Sequence, residues 1–330
     1  MDYTTFKDEL KSELSGALEE RGHAVDIADA TAHKANRDLD GITVRLDGAT
    51  VSPAIYTEST FEQLKDSGMS MHEIVEQLAD TVERAYEDFQ EIGFDPTAFD
   101  ADYIREHSYI AVVSTKMNEE LLSSVPHEEI PGTDLSAYAR IHAGEHASIT
   151  IDNNFAFSMG MTGTEILDCA RENTIQQGFS VQSMQETLTG LMPEGLDGII
   201  PFPQEERPSM CVITNEAKHE GASSIISSEA LDRACEKMGC ETAVILPSSR
   251  HELLAVNPDA VGMGSTAELK TMVEEVNATQ VSLEDKLSDM IYEYNSKSHE
   301  LTLCNEEGLF PTCDIDTDMG MQMYAAGLAI

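Results

Sequence analysis

Apolar residues along the chain recur at helical spacing in some stretches and alternate in others, so helices and strands share one sequence. Residues 5 to 20 alternate apolar and charged side chains at helical spacing, with Thr5-x-x-Asp8 placed to cap the first turn. A strand pair follows, because Gly41-Ile-Thr-Val-Arg-Leu-Asp-Gly-Ala-Thr-Val sets β-branched residues on both sides of an Asp47-Gly48 turn. The clearest element comes next. After the capping box Ser70-x-x-Glu73, the residues Met71, Val75, Leu78, Val82, Tyr86 and Phe89 recur every three or four positions and form one apolar face of a long helix.

Strands are expected at 109–114 and at 137–151, the latter a hairpin turning near Ala143-Gly144. Thr162-x-x-Glu165 then caps a helix that buries Ile166, Leu167, Ala170 and Thr174. From Gly190 to Pro208 the chain holds four of its eleven prolines, which neither a helix interior nor a sheet ladder accepts. This stretch is the expected linker between an amino-terminal region, 1–190, and a carboxyl-terminal region, 209–330, with a single large domain as the alternative. Beyond it, strands at 210–214 and 222–226 precede a helix near 228–238, strands follow at 242–246 and 252–256, and Ser265-x-x-Glu268 opens another helix. The order strand, strand, helix thus occurs twice, as a duplication or as a common unit. The fold class is α+β, with antiparallel hairpins forming one or two sheets and helices packed on them.

Composition changes this picture in one direction. Apolar residues make up 41% of the 330-residue chain and charged residues 25%, which is globular usage, yet 61 Asp and Glu face only 20 Lys and Arg, for a net charge of −41. Such a field repels bare nucleic acid and anionic lipid and attracts basic partners, including nucleic-acid-binding proteins. No apolar run is long enough to cross a bilayer, and the amino terminus lacks a secretory pattern. The six cysteines include no Cys-x-x-Cys pair and read as reduced thiols of a cytoplasmic protein. No cofactor is expected.

The candidate chemistry is thin. His142-x-x-Glu145-His146 matches an inverted zinc-protease pattern, but its strand-like flanks and Gly144 set it in a turn, where the three side chains do not converge as on a helix. Ser249, His251 and Glu252 invite a hydrolase reading, although on a strand Glu252 points away from the other two and no nucleophile elbow is present. Asp314-x-Asp316-x-Asp318 opens like a calcium loop, but the required glycine is one place late and Ala325 stands where the bidentate acid belongs. Met319, Met321 and Met323 read as apolar filler in an acidic tail, and Val261-Gly-Met-Gly as a helix entry without the lysine of a phosphate loop.

One signal has a direction. Glu73, Glu76, Asp80, Glu83, Glu87 and Glu91 run down the long helix in steps of three or four, with only Asp80 supported by a base, Arg84, at the stabilising spacing. The stripe carries one charge per ~5 Å of helix, against one per ~1.7 Å of duplex axis, so by itself it is too sparse to imitate DNA. The expected role is non-enzymatic binding of a basic macromolecular partner, with a hydrolase using Ser249 and His251, or a metal site near His142 and His146, as the alternative.

Several segments carry a family resemblance. Ile245-Leu-Pro-Ser-Ser-Arg-His-Glu-Leu-Leu, Met272-Val-Glu-Glu-Val-Asn-Ala-Thr-Gln-Val and Leu287-Ser-Asp-Met-Ile-Tyr-Glu-Tyr, with Gly41-Ile-Thr-Val-Arg and Pro53-Ala-Ile-Tyr upstream, resemble a bacterial family catalogued as domain of unknown function 5688. The resemblance covers nearly the whole chain. It implies a bacterial cytoplasm and a mobile-element setting, and no activity, cofactor or catalytic residue. It marks Pro247, Ser248, Ser249, His251, Glu252, Asn277 and Ser288 as motif residues, for which turn and helix-end roles are available.

Overall fold

The first helix forms, but its cap lies one turn earlier than Thr5: the Asp2 carboxylate accepts from the Thr5 amide at 2.9 Å, and α1 runs Tyr3–Glu20. The structure is a computed structural model that describes residues 1–49, 52–92, 99–142, 148–190, 207–261 and 266–304. It divides into two compact units, Met1–Asp100 and Ala101–Ile330.

In the first unit, α1 ends where Gly22 takes a left-handed conformation (φ 95°), and His23 donates back to the Leu18 carbonyl at 3.0 Å. This closure is a Schellman motif, and it turns the chain into β1 (Val25–Lys34). β1 pairs with β2 (Arg37–Leu46) across Ala35-Asn36, with Asn36 at φ 61°, so the tight hairpin turn sits a dozen residues before the expected Asp47-Gly48. Asp47-Gly48 does end β2, and a wider connection then leads to β3 (Ala54–Tyr56), which completes a three-stranded antiparallel sheet in order β1-β2-β3. α2 (Thr57–Asp66) and α3 (Met71–Ile92) follow, the latter with the expected Ser70 and Glu73 capping box. Phe6, Leu10, Leu14 and Leu18 of α1 pack with Ile74, Val75, Ala79 and Val82 of α3 and with Ile42 and Val44 of β2 in one core. Tyr86 is half-buried because its hydroxyl donates to the Val44 carbonyl (2.9 Å) and accepts from the Leu46 amide (3.1 Å), which ties α3 to the exit of β2.

The second unit opens with α4 (Ala101–His107), β4 (Ser108–Ser114), α5 (Glu119–Ser124), β5 (His127–Glu129), β6 (Leu135–His142) and β7 (Ser148–Thr150). β6 pairs antiparallel with β4, β5 and β7, so the expected 137–151 hairpin is present, while its turn lies outside the described residues. After α6 (Asn153–Ser158), α7 (Gly163–Gln177) carries the expected Thr162 and Glu165 capping box and buries Ile166, Leu167, Ala170 and Thr174, as its periodicity requires.

The remaining strands are β8 (Ser180–Ser183), β9 (Met210–Thr214), β10 (Thr242–Ser249), β11 (Glu252–Val256), β12 (Tyr292–Asn295) and β13 (Glu300–Leu303). They form an antiparallel sheet in order β13-β12-β10-β11-β9-β8. α8 (Met184–Gly190) leaves β8, α9 (Ser228–Met238) crosses between β9 and β10, and α10 (Pro258–Val261) and α11 (Thr266–Thr279) follow β11. β9, β10 and β11 read as near-continuous apolar runs because both faces of the sheet are covered. Val212, Val244, Leu246, Leu254 and Val256 pack with Leu269 and Val273 of α11, while Ala230, Leu231, Ala234 and Cys235 of α9 are buried as well.

Three expectations change. The described chain holds three sheets rather than one or two. The segment 222–226 is a 3-10 turn, Gly221–Ile226, not a strand, and with it the second strand, strand, helix unit and the reading of a duplication disappear. The reason is close packing, since a Cβ on Gly221 would lie 2.2 Å from Thr214 Oγ1 and 2.3 Å from the His251 carbonyl. The units divide after Asp100, and β8 and β9, on either side of the expected 190–208 linker, are hydrogen-bonded neighbours in one sheet. Residues 191–206 of that linker, and the calcium-like and methionine-rich tail, lie outside the described residues.

Candidate functional site

The acidic stripe of α3 falls into three parts. Glu73 is spent on the helix start, where its carboxylate accepts from the Ser70 amide and hydroxyl (both 2.8 Å), and these bonds hold its pKa below the usual range. Glu76, Asp80 and Glu83 converge on one cation. Arg21, delivered by the Gly22 reversal, donates Nη2 to Glu76 Oε2 (2.6 Å) and Nη1 to Asp80 Oδ1 (2.7 Å) and Glu83 Oε2 (2.7 Å). His23 Nε2 lies 2.9 Å from the other Glu83 oxygen. Glu87 is exposed, and the side chain of Glu91 lies outside the described residues. The stripe is therefore not bare. Its arginine caps the end of α1, 55 positions before Glu76, where an i to i+4 reading does not reach.

Beside this clamp is a groove of about 560 Å³ between the start of β1, the Asp47-Gly48 turn and α3, lined by His23, Asp47, Gly48, Glu83, Tyr86 and Glu87. Tyr86, stitched to β2, lines it together with three carboxylates, those of Asp47, Glu83 and Glu87. Elsewhere in the chain more than half of the 20 lysines and arginines are ion-paired internally, among them Lys7 with Asp29 and Asp40, Arg45 with Asp26, Arg105 with Asp102 and Lys286 with Asp289.

In the second unit the motif residues gather around a buried ion cluster. Glu220, 3% exposed and left-handed (φ 56°), accepts from Arg140 of β6 (3.2 Å), and Arg250 lies 3.5 Å from the same oxygen. Arg250 Nε also donates to Asp285 Oδ1 (3.2 Å). The Glu220 amide donates to His251 Nδ1 (3.3 Å), so the ring proton sits on Nε2, which donates to Asp285 Oδ1 (3.1 Å). Burial alone would raise the Asp285 pKa, but the Ser282 hydroxyl, His251 and Arg250 outweigh it and hold the carboxyl low. Both imidazole nitrogens are thus engaged. Ser249 accepts from the His251 main-chain amide (3.0 Å), so hydroxyl and ring are linked through the backbone and not as nucleophile and base. Glu252 lies on β11 opposite Ser249 in the ladder, its pKa raised by burial, with no side-chain hydrogen bond to Ser249 or His251 among the described residues.

Of the metal candidate, His142 ends β6 and stacks on Tyr109 (ring centroids 4.3 Å apart), its pKa lowered by burial, while Glu145 and His146 lie outside the described residues. Among the described residues no group of three or more His, Cys, Asp or Glu could hold a metal ion. The other motif residues build a second polar knot. Ser288 donates its hydroxyl to Asp134 (2.8 Å) and its amide to the Pro247 carbonyl (3.1 Å), Asn277 donates to the Ser288 carbonyl (2.9 Å), and the Tyr292 hydroxyl donates to Asp134. Asp134, Glu220, Asp285, Arg140 and Arg21 escaped the sequence reading because each acts through a distant partner; Asp285 also stands in a local Ser282-x-x-Asp285 box, which signals a turn but not its contacts with Arg250 and His251.

The family model described as a family of unknown function (DUF5688) matches residues 3–296. No curated protein and no solved structure matches the chain. No helix among the described residues is long and apolar enough to cross a membrane.

Proposed function

The chain belongs to the DUF5688 family, and we propose that it is a non-enzymatic cytoplasmic protein that binds a basic macromolecular partner through the groove beside α3. The observation that carries this reading is the Arg21 clamp. Three carboxylates of one helix face already hold a guanidinium at 2.6 to 2.7 Å, and the adjoining groove presents the same chemistry, Asp47, Glu83 and Glu87 around a tyrosine, with room for a lysine or arginine side chain. The net charge of −41 supplies long-range attraction for a basic surface, because the internal pairing of most cations leaves few to oppose it. Nucleic-acid-binding proteins are one class that fits.

The test is a fluorescence titration with an arginine-rich peptide at low and at high salt, on the natural chain and on the double variant Asp47→Asn, Glu87→Gln. The expected result is saturable binding that weakens steeply with salt and about tenfold in the variant, equivalent to ~1.4 kcal/mol. Absence of binding, or binding that the variant leaves unchanged, overturns the reading.

A further inference from the structure

The end of α9 carries chemistry outside the proposed partner site. Gly239 is left-handed (φ 71°), the Cys240 amide donates to the Cys235 carbonyl (3.0 Å), and the Gly239 amide donates to the Glu236 carbonyl (3.1 Å). These are the paired bonds of a Schellman motif, in which the residue after the glycine folds back against the residue five positions earlier, usually through an apolar contact. Here both positions are cysteine. The same closure at α1 sets Leu18 against His23, so the fold does not require thiols at such a site.

We propose that Cys235 and Cys240 are a redox-active dithiol that a low-molecular-weight disulfide, such as oxidised glutathione, converts to an intramolecular disulfide. The 6→1 hydrogen bond between the two residues brings their backbones to the short separation that a disulfide spans. The thiols play unequal parts. Cys240 is partly exposed, while Cys235 is 1% exposed on the buried face of α9. Cys240 Sγ donates to the Cys235 carbonyl (3.9 Å), and the two neighbouring thiols act on each other so that the pKa of Cys240 is lowered and that of Cys235 raised. Cys240 is therefore the attacking group. Its thiolate attacks one sulfur of the small disulfide, forms a mixed disulfide and expels one glutathione thiolate. Cys235 then loses its proton to solvent and attacks Cys240 Sγ, which releases the second glutathione. Two electrons pass from the protein dithiol to the small disulfide, and two glutathione thiols leave.

Cys211 of β9 is fully buried, and burial pushes its thiol up to about 12, so it is the thiol to discriminate against. Trypsin makes the distinction, since Arg233, Lys237 and Arg250 place Cys235 in the peptide 234–237 and Cys240 in the peptide 238–250. The folded full-length chain is incubated with oxidised glutathione, alkylated, digested and analysed by mass spectrometry. The expected product is peptide 234–237 joined to peptide 238–250, with Cys211 alkylated, and the intact chain weighed before alkylation is expected to be lighter by two hydrogens. A parallel time course with iodoacetamide on the reduced chain is expected to modify Cys240 at least tenfold faster than Cys235 or Cys211. A persistent glutathione adduct on Cys240, a Cys211 to Cys240 link, or equal alkylation rates would overturn the proposal. Neither readout depends on a partner, so its failure is separate from failure of the binding reading.

Discussion

Arg21 in the first unit and Arg140 with Arg250 in the second meet carboxylates at comparable distances, 2.6 to 2.7 Å and 3.2 to 3.5 Å, but in different surroundings. The three acids around Arg21 are 31 to 55% exposed, whereas Glu220 is 3% exposed. Water screens the first set, so its pairs are weak individually and matter by shaping a surface. In the second set the shared acceptor Glu220 has lost its hydration, while Arg140 and Arg250 are 18% and 21% exposed, and removing that acceptor takes the buried carboxylate from both cations at once. One type of contact thus serves as an adaptable acidic face in one unit and as a fixed polar core in the other.

The largest effect expected from this difference is at Glu220. Glu220→Ala leaves Arg140 and Arg250 without their shared acceptor and is expected to cost about 3–5 kcal/mol, read as a lowered urea midpoint. Glu220→Gln keeps the shape and is expected to lose less. A loss below ~1 kcal/mol for the alanine variant, the range of an exposed pair, would erase the contrast between the units.

Asp134→Ala is expected next. It takes the acceptor from the Ser288 and Tyr292 hydroxyls, whose residues are 3% and 0% exposed. A buried donor left unpaired costs about 1–3 kcal/mol, and the same measurement on Tyr292→Phe, which removes donor and demand together, is expected to show a smaller loss.

The sequence made legible what local periodicity encodes. The capping boxes at Ser70 and Thr162, the buried stripe Ile166, Leu167, Ala170 and Thr174, and strands β4, β9 and β11 all lie where spacing puts them. β1 was missed and the tight hairpin turn was assigned to Asp47-Gly48, because Ala35-Asn36 is a weak turn signal whose left-handed asparagine becomes evident only in the paired strands. The 3-10 turn at 221–226 has β-like composition, and only the approach of Thr214 and His251 to Gly221 excludes a strand. The site followed the same rule. The stripe on α3 is a local pattern, but its neutralisation by Arg21 is tertiary, and the hydrolase pairing of Ser249 with His251 yields to Glu220 and Asp285, which are 31 and 34 residues from His251.

A smaller effect belongs to the exposed clamp. Arg21→Met returns Glu76, Asp80 and Glu83 to mutual repulsion and is expected to cost no more than about 1 kcal/mol at low salt. The loss is expected to shrink as salt approaches ~1 M, where the screening length falls to about 3 Å. The Glu220→Ala loss should persist in that salt, so thermal melts of both variants at two ionic strengths separate screened from desolvated pairs.

The smallest effect concerns pH, where the ion-paired Asp29 and Asp40 of the first unit and the buried Glu252 of the second have opposite signs. In the first unit Lys7 and the Tyr3 hydroxyl hold the Asp40 pKa low, and Lys7 and Lys11 do the same for Asp29. Their contribution is full above the unfolded aspartate value of about 3.9 and is lost as pH falls through the folded values. In the second unit burial raises the Glu252 pKa, so the native state binds a proton that the unfolded chain has already released. That costs stability as pH rises from about 4.3, the unfolded glutamate value, through the folded value, and the penalty remains at neutral pH. Glu252→Gln is therefore expected to raise the urea midpoint at neutral pH and leave it nearly unchanged in acid. Lys7→Met is expected to lower the midpoint at neutral pH, with the gap to the natural chain closing as the pH drops below ~4, where Asp29 and Asp40 protonate in both. Equal shifts of either variant at every pH would show that packing, and not the charge of these groups, sets the difference.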